Sequence, residues 1–168
     1  MPWMRRHWCM GAMALALSAC GFRLRQPMGY GFKVIYIPPQ PSPLMIELKR
    51  SLASDPSVEV LQDPRQLERA DVTLDLLQEA REKVVIGRTS TGGVREFQLR
   101  LRVRFKVRDK SGIERIPDTE LLQQRDISFI ETNALAKEQE EEMLYRNMQT
   151  DVVQQILLRL ARLRPTGD

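Results

Sequence analysis

Arg100, Arg102, Arg104 and Lys106 occupy alternate positions in the run Glu96–Arg108, and they are the most conspicuous charged array in the sequence. On an extended strand alternate residues share a face, so the four cations would stand about 6.7 Å apart in one row. Repulsion along such a row is unfavourable unless something answers it. Acidic side chains on neighbouring strands are one answer. The other is an anionic partner, such as lipid phosphates or an acidic protein surface, which arginine grips in bidentate fashion. Asp71, Asp75 and Glu79 share a parity in a nearby segment. They read as a possible acid pair or, more economically, as cross-strand partners of the row.

A second kind of chemistry centres on Cys20. Arg5 and Arg6 precede an apolar run from Trp8 to Leu17 that only Gly11 interrupts. A membrane-spanning helix needs about 20 apolar residues, so this run is too short to cross. It has the length of a signal-peptide core. Leu17-Ser18-Ala19-Cys20 follows and resembles the lipobox read by lipoprotein signal peptidase. Small residues at 18 and 19 let the backbone lie extended in a protease cleft, and the cysteine thiol accepts diacylglycerol. Residues 1–19 are therefore expected to be removed, leaving lipid on Cys20. That covalent lipid is the only attached group expected, with no other cofactor and no metal. One acyl chain anchors only marginally, so a triacylated cysteine is needed for a firm hold. Gly21 stands where aspartate typically retains Gram-negative lipoproteins at the inner membrane, which points to the outer membrane.

Cleavage also narrows the chemistry left. Of 26 basic residues, Arg5 and Arg6 leave with the signal, so 24 face 22 acidic ones and the formal charge falls from +4 to +2. His7 and Cys9 leave too. The remaining 149 of 168 residues hold no histidine, which excludes Ser-His-Asp and Cys-His catalysis and histidine metal ligation. Carboxylate pairs and a Ser-Lys dyad remain formally open, but no enzyme is expected. Acylation of the one remaining cysteine rules out an internal disulfide. Nucleic acid is the usual partner of arginine rows. A charge of +2 on a periplasm-facing lipoprotein argues against it.

The elements that must position the cations follow from periodicity. About 149 residues suit a single domain. Residues 20–31, with Pro27, Gly29 and Gly31, read as a tether, 32–164 as the domain and 165–168 as a tail. Lys33–Ile37 reads as a strand. Ser42-Pro43 starts a helix with its apolar stripe on Leu44, Leu48 and Leu52. Val58–Leu61 is a brief strand, and Asp63-Pro64 opens a loop or helical turn ending near Ala70. In Asp71–Ile86, Val72, Leu74, Leu76, Val84 and Ile86 share one parity. In Glu96–Arg108 the alternation is unbroken, with Phe97, Leu99, Leu101, Val103, Phe105 and Val107 facing the core. Arg88–Gly93 is turn chemistry, so the two segments should pair as an antiparallel hairpin. A further strand runs from about Leu121 to Ile130. A final helix of about 25 residues places Glu138, Glu140, Glu141 and Glu142 near its start and Arg159, Arg162 and Arg164 near its end, opposing its dipole. Tyr145, Met148, Val152, Ile156, Leu160 and Leu163 form its core stripe. The order implies an α+β fold: a mixed or antiparallel sheet of about four strands, with two helices packed on one face.

Cys20-Gly21-Phe22-Arg23-Leu24-Arg25 resembles the mature start of the LptE family of lipopolysaccharide-assembly lipoproteins. The likeness continues through the proline-rich connection before the first helix, Ala70-Asp71-Val72, Glu96-Phe97-Gln98-Leu99 and Ala134-Leu135-Ala136-Lys137. It implies an outer-membrane, lipid-anchored subunit that plugs the LptD β-barrel, helps it assemble and binds lipopolysaccharide. It also implies two phosphate contacts, a basic residue at the hairpin tip and the lysine of Ala-Leu-Ala-Lys. These map to Arg88 and Lys137. The tip differs from the family pattern in length and glycine content, so Arg95 is an alternative to Arg88. An exposed side chain with no such role is the alternative for Lys137. With Arg100, Arg102 and Arg104 these residues make the candidate lipopolysaccharide site. A free-standing lipid-binding or envelope-scaffolding lipoprotein is the competing function, and it would need an apolar cavity. The alternating Glu96–Arg108 strand has no apolar residues to spare for one.

Overall fold

A computed structural model describes residues 29–128 and 134–165. The signal peptide, Cys20 and most of the tether lie outside the described residues. In order the chain forms β1 (Val34–Tyr36), α1 (Pro43–Ala53), β2 (Glu59–Leu61), a 3₁₀ turn (Pro64–Arg69), β3 (Val72–Arg88), β4 (Val94–Asp109), β5 (Glu114–Ser128) and α2 (Ala134–Ala161). One sheet runs β2-β1-β3-β4-β5, so it has five strands rather than about four. β1 pairs in parallel with β2 and β3, while β3, β4 and β5 pair antiparallel. The fold is α+β, as expected.

Local sequence explains the starts and stops. The Ser42 hydroxyl accepts a bond from the Met45 N–H at 3.1 Å, and Pro43 follows at the first helical position. Asp63 caps the 3₁₀ turn in the same way through the Arg65 N–H at 3.0 Å. The hairpin turn closes with the Thr89 N–H on the Gly93 carbonyl, and Gly92 takes a positive φ of 88° that favours glycine.

The core lies between the sheet and both helices. Leu99, Leu101, Val103, Phe105 and Val107 of β4 are all essentially unexposed. They pack in one cluster with Leu44, Leu48 and Leu52 of α1 and Met148, Val152, Ile156 and Leu160 of α2. Burying each such side chain stabilises by about 1.5–3 kcal/mol before chain entropy is counted. Tyr30 joins this cluster, and a Cβ on Gly31 would fall 2.1 Å from the Leu163 carbonyl oxygen. Tyr30 and Gly31, at the end of the segment assigned to the tether, are therefore already packed. A second, smaller cluster of Tyr36, Leu61 and Ala70 lies apart from the first.

Three expectations need correction. First, β3 does not keep one parity. Register shifts between Leu76 and Gln78, so Leu77 has no partner and protrudes. A single extra residue reverses every side chain beyond it. Glu79, Arg81, Lys83 and Val85 then lie opposite Val103, Leu101, Leu99 and Phe97, while Val84 faces Gln98 and Ile86 is exposed. Asp75 and Glu79 consequently occupy opposite faces and form no acid pair. Second, β5 begins at Glu114 rather than near Leu121. Pro117 is tolerated because β5 is an edge strand and its register shifts opposite Lys106. Residues 129 and 130, expected to end this strand, lie outside the described residues. Third, α2 begins at Ala134, so its first turn is free of acids, and it ends before Arg162. A dipole contribution fades within one turn. Glu140, Glu141 and Glu142 have other partners.

Candidate functional site

The row of cations is real, and carboxylates flank it on both sides. Arg102 lies between Glu120 on β5, 2.6 Å away, and Glu82 on β3 at 3.7 Å. Arg104 pairs with Asp118 through two nitrogens. That hydrogen bond, with the charge of Asp118 added, pushes the Arg104 pKa up. Lys106 reaches Glu114 at 3.4 Å and Arg108 reaches Asp75 at 3.1 Å. Arg100 differs: its Nε donates to the neutral Gln98 Oε1 at 2.8 Å, and Gln98 in turn donates to Asp126 at 3.0 Å. Acids on the adjoining strands thus answer most of the repulsion expected along the row.

A second group gathers where the far end of the hairpin meets the start of α2. The β3 bulge aims Arg81 and Lys83 at the helix, and the early start of α2 puts Glu141 and Glu142 opposite them. Lys83 bonds Glu141 at 2.6 Å with its ammonium 4.5 Å from the Phe97 ring centre. Arg81 reaches Glu142 at 3.3 Å and lies 5.0 Å over the Tyr145 ring. The Tyr145 hydroxyl donates to the Glu82 carbonyl at 2.8 Å, and burial, reinforced by the charge of Glu141, pushes its pKa up. Lys137 bonds Glu140 at 2.7 Å and approaches the Ser128 hydroxyl at 3.5 Å. Lys83, Phe97, Ile127, Ser128, Lys137 and Glu141 all line one cavity of about 170 Å³. It offers two ammonium groups, a hydroxyl and the carboxylates of Glu138 and Glu141 over an apolar floor.

A family model described as LptE, lipopolysaccharide-assembly, matches residues 32–160. The chain belongs to the LptE family. Membership gives it a role in lipopolysaccharide transport. The solved structures it resembles include bacterial lipoproteins. Lipoprotein B of Nitrosomonas europaea is similar at 33% identity, with 82% of this chain and 88% of that one covered and a TM-score of 0.69. Rare lipoprotein B of Shewanella oneidensis (23% identity, 76% and 93% covered, TM-score 0.64) and a minor lipoprotein of Acinetobacter baumannii (19%, 82% and 98%, 0.59) share the fold. Among curated proteins none matches significantly.

The structure brings the two positions mapped from the LptE likeness to one end of the sheet. Lys137 sits beside Ser128, and Ser128, Glu96 and Gly87 form one transverse row next to Arg88. Arg88 is exposed and donates to the Gly92 carbonyl of its own turn at 3.1 Å. Arg95, the alternative, is exposed on the neighbouring strand. The Lys137 side chain is partly shielded, 21% exposed. Arg100, Arg102 and Arg104 lie on the sheet face away from the helices, separate from the cavity. Lys83 was missed from sequence. The adjacent pair Leu76-Leu77 was the available signal, because two neighbouring apolar residues break strand alternation where a bulge can form.

Proposed function

We propose that this chain is a non-catalytic lipoprotein, acylated on Cys20 and held on the outer membrane. It assembles with and plugs the LptD β-barrel, and helps deliver lipopolysaccharide to the outer leaflet. The open face of the sheet is the observation that carries this reading. Arg102, Arg104, Lys106 and Arg108 stand there in a paired grid with Glu82, Asp75, Asp118, Glu120 and Glu114. Such a surface suits the polar lumen of a large membrane barrel. A free-standing lipid carrier would need an apolar cavity. Between the sheet and helices of this domain that space is filled by side chains from both layers.

Lipid A phosphates match the chemistry of the hairpin–helix end. Lys83 and Lys137 present two ammonium groups to one cavity, with Arg88 near by on the same end of the sheet. A phosphate entering there exchanges with Glu140 or Glu141, which hold the lysines in its absence. The contact is therefore a swap of one anion for another, reversible and sensitive to salt. A charge-assisted hydrogen bond contributes about 1.5–3 kcal/mol before screening. Replacing Arg88 and Lys137 together with glutamine is expected to weaken lipopolysaccharide binding about tenfold or more, with little change in thermal midpoint. Binding isotherms at several salt concentrations measure this. Unchanged affinity in a folded double variant would remove both residues from the site and leave the arginine row as the place to look.

A further inference from the structure

The end of the sheet opposite the hairpin turn is basic and unanswered. Lys33 precedes β1, Lys110 lies in the β4–β5 turn, and Arg162 and Arg164 follow α2; all four are exposed. They make no ion pair among the described residues. The carboxylates near them are already engaged. Asp71 accepts the backbone N–H groups of Lys33 and Val34, both at 2.9 Å. Asp109 accepts those of Ser111 and Ile113 at 2.9 and 3.0 Å, with Arg115 at 3.9 Å. Glu114 pairs with Lys106. The pieces form one surface. Arg115 donates to the Arg164 carbonyl at 2.8 Å, and Lys33, Lys110, Asp71 and Pro165 border a common hollow of about 290 Å³. Ile113 projects beside Lys110 and is 64% exposed, the most exposed large apolar side chain among the described residues.

We propose that this end docks on the phospholipid leaflet that holds the anchor, with Ile113 in the headgroup region and Lys33, Lys110, Arg162 and Arg164 on anionic phosphates. The proposal rests on the reading of Cys20 as the lipidated residue. The described chain enters at Gly29, at this same end, nine residues from Cys20. Nine residues reach at most about 30 Å, so the anchor keeps these cations close to the headgroups. Each cation near an anionic leaflet strengthens attachment on the order of fivefold, and the effect fades within a Debye length. A lone exposed isoleucine among cations has the interfacial pattern of an apolar tip inside a basic rim.

The test uses the full chain, isolated in its acylated form and placed on vesicles of phosphatidylethanolamine alone or mixed with phosphatidylglycerol. Ile113→Trp supplies the reporter, since Trp3 and Trp8 precede Cys20 and leave with the signal. The expected result is a blue-shifted emission on the anionic vesicles, quenched by brominated lipid chains and reversed by salt. Changing Lys33, Lys110, Arg162 and Arg164 to glutamate in that background should abolish the shift, and glutamine at the same positions should reduce it. Water-like emission on anionic vesicles, or a shift that survives both sets of changes, would overturn the docking. The mass of the isolated chain reports acylation separately. An unacylated chain would refute the Cys20 reading while tryptophan emission still decides the docking.

Discussion

Lys83 on β3 and Glu141 on α2, 58 residues apart in sequence, meet at 2.6 Å across the gap between the hairpin and the helix. The pair is partly shielded, with side-chain exposures of 39% and 24%. Together with Arg81 and Glu142 it fastens the far end of a long hairpin whose β3 strand carries no apolar stripe there. A double-mutant cycle with Lys83→Ala and Glu141→Ala should return a coupling of about 0.5–1 kcal/mol that shrinks as salt is added. Zero coupling at low salt would mean that the pair does not clasp the two elements.

Tyr145 gives this region a pH dependence with a definite sign. Burial raises the phenol above its ordinary value of about 10. The native state then holds its proton where the unfolded chain has released it, so stability is intact below about pH 10 and falls as pH rises beyond it. Tyr145→Phe keeps the ring under Arg81 but loses the bond to the Glu82 carbonyl. Urea midpoints should show a loss of about 1 kcal/mol at neutral pH and a shallower decline on the alkaline side. An alkaline limb as steep as in the parent would assign that titration to another group.

The anchor is tested at one sulfur. Cys20→Ala should leave an uncleaved or mislocalised precursor whose domain still folds, because among the described residues the packed core begins at Tyr30, ten positions beyond Cys20. Metabolic labelling with palmitate reads the outcome, and label persisting on the variant would remove Cys20 from the lipid attachment.

The start of α1, the β4 face and the hairpin were legible because each rests on contiguous pattern: Ser42-Pro43, the alternation from Phe97 to Val107, and Gly92 in the turn. The LptE likeness was carried by short motifs in a fixed order. The β3 face was not legible beyond Leu76. The Leu76-Leu77 pair marks where a bulge can form, but whether it forms depends on which residue the partner strand skips, and β3 alone does not contain that information. The same gap hid the cavity, because assigning Lys83 to the helix side requires the bulge and assigning Glu141 opposite it requires the early start of α2. The basic end around Ile113 was invisible for another reason. Lys33, Lys110 and the Arg162–Arg164 segment come from three distant points of the chain, and only the fold joins them.

Recovery of a barrel partner is the most direct measurement of the central claim. The acylated chain, carried through outer-membrane extraction in mild detergent, should co-purify about one-to-one with a single large β-barrel identified by mass spectrometry. Depleting the chain should lower the amount of correctly assembled barrel. A pull-down that recovers no barrel protein, with barrel assembly unaffected by depletion, would contradict the proposal that this lipoprotein is a barrel plug.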